Sequence, residues 1–587
     1  MNNSIKTAAK TMAAVIAAGA MAVAPVAGTI GMTTMNVMAD TVPSASDTGI
    51  LQVQGVGAGA TVNAYKIVTA TYYTQETDQK VGFKEWAKVG NIIITDTTNW
   101  QPTVEEMPAI VSAVKADTKH TTYTKVGLTY DESTKMYKSA AGSATAGEYL
   151  VLVEETNATS DPLIYNPMVV STYYVDGRLN TNTVIAGKDK RFGSSSTAYA
   201  KATDVPLTKT IANPDDQAGL KTGSGDTLRS HGDDLQIGDT GDFEITSTIP
   251  AYSSAYTSLK FDLVDTQDAG FDPVTSVVVK VGDTTIYSED DKTTYPGTGK
   301  VTVTKGPRAA DSTTGKKVLD SNDFEVSFAS DYLKTVTGQN VVVTYSAKLN
   351  KNATQKFDPN TNSVELTYTK DISENTDAKT AKTVDYTFPI SVLKVDSATT
   401  AQKDQDENKT YHDNHEVLSG AEFTLTRISP TATAGTDHVP YPTTGDETYK
   451  AVATTGADGK VTFNDLDEGI YSISETSAPT GYAINNETFY IKVAPVYNTS
   501  TGELESYTIT QCKQDGTGLT SEDTTTGSME SSTTRTDNSA FDTLIVNDTP
   551  MTGLPSTGAR SALILTIAGI AVMITVMAAS RKKKIAD

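Results

Sequence analysis

Residues 242–249 read DFEITSTI and residues 363–369 read SVELTYT. Apolar and polar residues alternate in both, the two-residue period of a strand with one face in a core and the other in water. The same texture extends outward from these two stretches. Val, Thr and Tyr are plentiful, Leu is modest, and no long stretch holds a helical period. That combination predicts an all-β chain built from many short strands.

Turn-rich punctuation divides the chain into three blocks. The first runs from about Thr48 to Tyr199 and opens with ILQVQGVGAGATVNAYKIV. Its GVGAG (55–59) lacks the Lys-Ser/Thr and following helix of a phosphate loop, and reads as a hairpin turn. The second begins near Asp204 with VPLTKTI and ends near Asp385; its insert KTTYPGTGKVTVTKGPRAADSTTGKK (292–317) reads as a hairpin or exposed loop. The third runs from YTFPISVLKVD to TLIVNDTP. Its acidic stretch QKDQDENKTYHDNHE (402–416) lacks the carboxylate spacing and glycine of an EF-hand, and reads as a solvated loop.

The formal charge is −23 over 587 residues, which argues against nucleic acid as a partner and for solubility outside a cell. Five His and one Cys, with no nucleophile–base or metal-ligand spacing, propose no catalytic site, cofactor or metal. Cys512 has no second cysteine with which to form an internal disulfide. An exported β-protein of this kind must stand on its cores or be stapled by other chemistry.

Both ends carry addressing signals. Lys6 and Lys10 precede the apolar MAAVIAAGAMAVAPVAG, and VMA ending at Ala39 offers small residues for a cut, the pattern of a secretory signal. From Ser561 to Ser580 no residue is charged. A helix of that length rises about 30 Å, enough to cross a hydrocarbon core. Arg581, Lys582, Lys583 and Lys584 follow, which predicts a cytoplasmic tail and an external body.

Just before that run stand Leu554, Pro555, Ser556, Thr557 and Gly558. LPSTG, apolar span and basic tail in this order resemble the cell-wall sorting signal of Gram-positive surface proteins. The resemblance implies that a sortase cysteine cleaves between Thr557 and Gly558 and passes the Thr557 acyl group to an amine.

GKVTFNDLDEGIYSISETSAPTGY (459–482) resembles the E-box region of CnaB-type domains, modules of Gram-positive pilins and adhesins. The resemblance implies an amide between Lys394 in SVLKVD and Asn547 in LIVNDT, assisted by Glu475. The second block resembles the middle, isopeptide-forming domain of shaft pilins. There Lys209 would be the amine, Asp265 the acid with Glu244 as rival, and Asn362 the acceptor in preference to Asn360. STAYAKATDVPLTKTI resembles the pilin motif that supplies the intersubunit amine, although Tyr199-Ala200-Lys201-Ala202 lacks its usual Pro and Asn. Lys201 is the acceptor so implied, with Lys188 or Lys190 as alternatives.

The resemblance implies an all-β fold of three tandem immunoglobulin-like, CnaB-type β-sandwich domains. The expected division is a signal peptide (1–39), an N-terminal pilin domain (40–200), a middle isopeptide-forming domain (201–388), a C-terminal CnaB-type domain (389–550) and a sorting signal (554–587) with its transmembrane helix. The expected function is structural: the major subunit of a covalent surface pilus, anchored to the cell wall and supporting adhesion. Its expected partners are identical subunits, pilus-specific and housekeeping sortases, peptidoglycan, and minor tip and basal pilins; the sequence names no host ligand. The alternative is a monomeric wall-anchored adhesin or a minor pilin.

Overall fold

The computed structural model describes residues 45–72, 83–92, 102–155, 163–172, 174–175, 191–192, 195–212, 229–311, 316–400, 409–428, 450–498, 500–530, 534–538 and 543–551. The signal segment, Lys188, Lys190, the sorting motif and the apolar run after it lie outside the described residues. Among the described residues no helix is long and apolar enough to cross a membrane.

Strands between Thr48 and Tyr199 build a nine-stranded sheet. Its main path runs Ser195–Tyr199, Thr48–Gln54, Met136–Ser139, Lys125–Asp131, Thr61–Tyr72, Gly147–Glu155 and Met168–Thr172. Two strands thus separate Thr48–Gln54 from Thr61–Tyr72, and the hairpin expected at GVGAG does not form. The segment instead crosses the ends of the intervening strands. The Tyr137 hydroxyl holds it there, donating to the Gly57 carbonyl at 2.9 Å and accepting from the Ala60 amide at 2.8 Å.

One face of this sheet buries Leu51, Val53, Val62, Ala64 and Val151. The other buries Tyr65, Ile67, Leu150 and Leu152 in one core with Met107, Ile110, Val111 and Val114 of a helix, Met107–Ala116. The all-β expectation missed this helix. Its apolar positions do follow the 3.6-residue period, but ten residues are too few for that period to stand out in a window of 11–18 residues.

The middle block forms two six-stranded sheets. The first contains Leu207–Ala212, Thr240–Thr248 and Asn340–Lys348 side by side with Thr275–Val281 and Thr284–Ser288. The second contains Thr376–Tyr386, Asn360–Thr369, Phe261–Gln267, Phe324–Phe328 and Val301–Lys305. Phe243, Ile245 and Val343 from one sheet share a core with Leu263, Val326, Val364 and Leu366 from the other. The alternation read in DFEITSTI sorts Phe243 and Ile245 inward and Glu244 and Thr246 toward solvent. The insert at 292–317 contributes Val301–Lys305, the last strand of the second sheet.

Only Thr387 separates Thr376–Tyr386 from the next strand, Phe388–Thr399. That strand is central to a seven-stranded sheet: it pairs antiparallel with Lys460–Leu466 and parallel with Thr543–Pro550. A five-stranded sheet covers it, ordered Lys450–Thr454, Glu422–Ile428, Gly469–Ser477, Thr488–Tyr497 and Leu504–Cys512. Within the acidic stretch read as a loop, Tyr411–His412 and His415–Val417 form a small hairpin turned by Asp413 and Asn414 at φ 46° and 66°. Positive φ at both turn positions suits the right-handed twist of a two-residue hairpin, and Asp and Asn tolerate it.

The junction between the middle and last blocks is tight. A Cβ on Gly502 would lie 2.4 Å from the Gly232 nitrogen, so the two backbones meet without side chains between them. The Leu504 amide donates to the Tyr386 hydroxyl at 3.0 Å, and Lys382 pairs with Glu503 at 3.0 Å.

Candidate functional site: two buried lysine clusters

Lys209 lies in the first strand of the middle block, at the pleat position that faces the core, and is fully buried. Its Nζ contacts an Asp265 carboxylate oxygen and the Asn362 side-chain oxygen, both from the opposing sheet. Asp265 and Asn362 sit on neighbouring antiparallel strands, where Asp265 opposes Val364 and Gln267 opposes Asn362. The structure therefore brings together the amine, the preferred acid and the preferred acceptor.

The rivals go elsewhere. Glu244 opposes Thr210 and Thr344 on the outer face of its sheet, because it alternates with the inward Phe243 and Ile245. Asn360 is buried two residues before Asn362, but its amide is spent on Thr354: its oxygen accepts from the Thr354 amide at 2.8 Å and its nitrogen donates to the Thr354 carbonyl at 3.1 Å.

Aromatic rings wall the amine. Lys209 Nζ lies 5.9 Å from the Phe243 centroid and 5.5 Å from that of Tyr345, and the two rings stack at 5.3 Å. Burial pushes the Lys209 amine down to about 8, against the pull of Asp265. It pushes the Asp265 carboxyl up, although Lys209 and Tyr345 partly offset it. Both shifts favour the neutral forms, an uncharged amine beside a protonated acid. Asp385, also fully buried, is held well above the usual carboxylate range by desolvation, with Lys209 countering. Sequence reasoning missed Tyr345 and Asp385. Tyr345 had one available signal, since VVVTYSAK places it in phase with inward Val341 and Val343.

The second cluster is built differently. Lys394 is fully buried in the first strand of the last block, in phase with core residues Ile390 and Val392. Nζ lies 3.2 Å from Glu475 Oε2 and 3.1 Å from Asp548 Oδ1. Glu475 comes from the facing sheet, as expected of the E-box position. The acceptor expected at Asn547 is not there.

Strand pairing gives the reason. Lys394 stands beside Val546 and Asp396 beside Asp548 in the parallel ladder, so Leu544, Val546 and Asp548 face the core. Asn547 stands beside Val395 and faces away, its amide donating to the Thr526 carbonyl at 3.0 Å. LIVNDT alone leaves the phase open, because Ile545 is as apolar as Leu544 and Val546; the parallel register beside Lys394 sets it. Burial pushes the Asp548 carboxyl up to about 6, with Lys394 opposing.

The proposed intersubunit amine sits apart from both clusters. Lys201 is exposed between Ser195–Tyr199 and the short strand Ala202–Thr203, which pairs with Ile164–Tyr165. Exposed Tyr199 is two residues away.

Neither cluster is a good device for stability as a simple ion pair. Desolvating two charges costs several kcal/mol per ion, and apolar replacements of such pairs are often neutral or stabilising. What these clusters do provide is a desolvated amine held against an acyl group and a proton-handling acid, the requirements for forming an amide.

Residues 406–510 match the family model described as SpaA, prealbumin-like fold domain. Over 485 residues the chain is 24% identical to the trypsin-resistant surface T6 protein of Streptococcus pyogenes serotype M6, covering 79% of this chain and 74% of that protein. The solved structure of the T6 backbone pilin of serotype M6 Streptococcus pyogenes, described as a modular three-domain structure decorated with variable loops and extensions, superposes with a TM-score of 0.52 at 18% identity. The match covers 86% of this chain and 100% of that one. The fold is thus nearly all-β, multi-domain and prealbumin-like. The chain is similar in sequence and fold to the backbone pilins of Gram-positive bacteria.

Proposed function

We propose that this protein is the repeating shaft subunit of a sortase-assembled covalent pilus, built from three tandem immunoglobulin-like domains. The observation that carries the reading is the pair of fully buried lysines, each held against an acid and an acyl acceptor. In the middle domain the neutral Lys209 amine attacks the Asn362 side-chain carbon, and ammonia leaves. In the last domain Lys394 attacks Asp548 with Glu475 as the proton-handling acid, and water leaves. Each product is an amide between the first strand of a domain and one near or at its end. The chain is a substrate for an outside sortase, not itself an enzyme.

Lys209 and Asn362 are 153 residues apart in sequence. By the chain-entropy treatment of cross-links, closing a loop of that size is worth about 5 kcal/mol. Pulling force would pass through the amide without unravelling the strands between. Joining Thr557 of one subunit to Lys201 of the next is a heterologous, non-closing contact, so copies grow into a filament. The anchor is the cell wall, reached through LPSTG.

Wall extracts of the native organism, boiled in SDS, test this: a shaft subunit gives a ladder of multimers, and a monomeric adhesin gives a single band. Lys201→Ala collapses the ladder if Lys201 is the acceptor amine; a persistent ladder moves that role to another lysine.

A further inference from the structure

Tyr345 occupies a position that the amide-forming reaction of the middle domain requires and that Lys209, Asp265 and Asn362 leave empty. Its hydroxyl lies 3.0 and 3.1 Å from the two Asp265 carboxylate oxygens, and it accepts from the Asn362 side-chain nitrogen at 2.8 Å. That nitrogen is the leaving group. The ring is fixed by stacking on Phe243 and by an edge contact with Phe324 at 4.8 Å. Burial and the neighbouring Asp265 hold the phenol well above its ordinary range, so it stays protonated.

Building on the proposed Lys209–Asn362 amide, we propose that Tyr345 is a catalytic residue, the proton relay that lets the Asn362 nitrogen depart as ammonia. An amide nitrogen does not leave as an anion; it must gain a proton as the carbon–nitrogen bond breaks. Lys209 first gives one proton to Asp265, which makes the amine a nucleophile. The Lys209 nitrogen bonds to the Asn362 carbon. Asp265 then passes its proton to the Tyr345 oxygen while the Tyr345 proton moves to the departing nitrogen, reversing both hydrogen bonds. As the bond breaks, the new amide nitrogen sheds its second proton to Asp265. Three lysine protons become one amide hydrogen, one proton on ammonia and one on Asp265, and Tyr345 ends as it began.

The last domain supplies the internal contrast. There the acceptor is a carboxyl, the leaving atom is oxygen, and Asp548 Oδ2 has no hydrogen-bond partner among the described residues. The phenol beside this cluster, Tyr482, donates to Asp396, the ladder neighbour of Asp548, at 2.7 Å and not to Asp548 Oδ2.

The test follows both cross-links in one molecule. Because an amide once formed survives unfolding, the full ectodomain is newly translated in vitro, chased after synthesis is stopped and sampled over time. The two branched peptides are quantified by mass spectrometry after proteolysis. Tyr345→Phe keeps the ring and removes the relay. It should slow the Lys209–Asn362 bond at least tenfold, general acid–base assistance being worth about 10²–10⁴-fold, while the Lys394–Asp548 bond forms at its normal rate. Tyr345→Gln, which can still pair with Asn362 but cannot relay, should be equally slow. Normal middle-domain kinetics in either variant overturns the relay alone. If the wild-type chain never forms the Lys209 bond, the underlying reading falls and the relay with it; Asp265→Asn, expected to abolish that bond, marks the zero.

Discussion

The middle and last domains place a buried lysine in the first strand and solve the rest in opposite ways. In the middle domain the lysine reaches across the core, and both acid and acceptor lie on the facing sheet. In the last domain the lysine and its acceptor lie in adjacent parallel strands of one sheet, and only the acid faces them. The side-chain types exchange as well. In the proposed reactions Asp is the acid and Asn the acceptor in one; Glu is the acid and Asp the acceptor in the other. What both retain is the environment: a fully buried amine, an aromatic ring 5.5 or 5.7 Å away and a buried carboxyl in contact with the amine. Location within the sandwich matters more to this chemistry than identity at any one acceptor position.

The largest expected effect of disturbing this comparison comes from removing the amine. Lys209→Met should leave a folded middle domain that lacks its cross-link, with stability lower by about 5 kcal/mol, read as a lower thermal midpoint and faster trypsin cleavage. Lys394→Met should do the same to the last domain and leave the middle one intact.

Exchanging the acceptors comes next. Asp548→Asn should change the molecule lost from water to ammonia and slow the Lys394 bond, because a nitrogen must then leave without a phenol relay, and Asn547→Ala should change nothing. Loss of the bond in Asn547→Ala would restore the expected acceptor and reject Asp548.

The pH dependences of the two reactions should diverge. Burial lowers Lys209 to about 8 in the folded, unlinked domain. The reactive pair, neutral Lys209 beside protonated Asp265, holds the same number of protons as the ion pair, so the middle-domain rate falls only as pH rises above about 8 and that shared proton is lost. Asp548 titrates at about 6, and its reactive protonated form is lost as pH rises through that value, so the last-domain rate falls. The sign for stability is consistent: a carboxyl raised in the folded state contributes stability that is present at low pH and lost as pH rises through about 6. Chase time courses of newly translated chain shifted to pH 5 to 9 would read both trends.

The smallest effect is at the junction. Gly502 has φ 75° and touches the Gly232 backbone. Gly502→Ala should cost about 1–3 kcal/mol and widen the angular spread between the two domains in small-angle scattering.

Much of this architecture was legible in the sequence for one reason: a two-residue period reports which side chain faces a core. It marked DFEITSTI and SVELTYT as strands, whereas Lys209 and Asn362 were chosen by resemblance with Glu244 left as a rival; the structure puts the first two on inward faces and Glu244 outward. In LIVNDT three consecutive apolar residues leave the phase undecided, and the resemblance to a Lys–Asn pattern drew attention to Asn547. In Phe388–Thr399 the rule is silent, because both faces are buried and the strand reads apolar throughout. Tyr345 was not legible as chemistry, since Asp265 lies 80 residues away and Asn362, 17 residues on, belongs to the facing sheet. The helix Met107–Ala116 and the crossing of GVGAG depend on strand order, which local patterns do not encode.

The most direct test of the central claim is the intact mass of the recombinant ectodomain, folded without added enzyme. Two self-formed amides predict a mass below that of the sequence by one ammonia plus one water, with branched peptides joining Lys209 to Asn362 and Lys394 to Asp548. A mass equal to that of the sequence, with both lysine amines free, would contradict it.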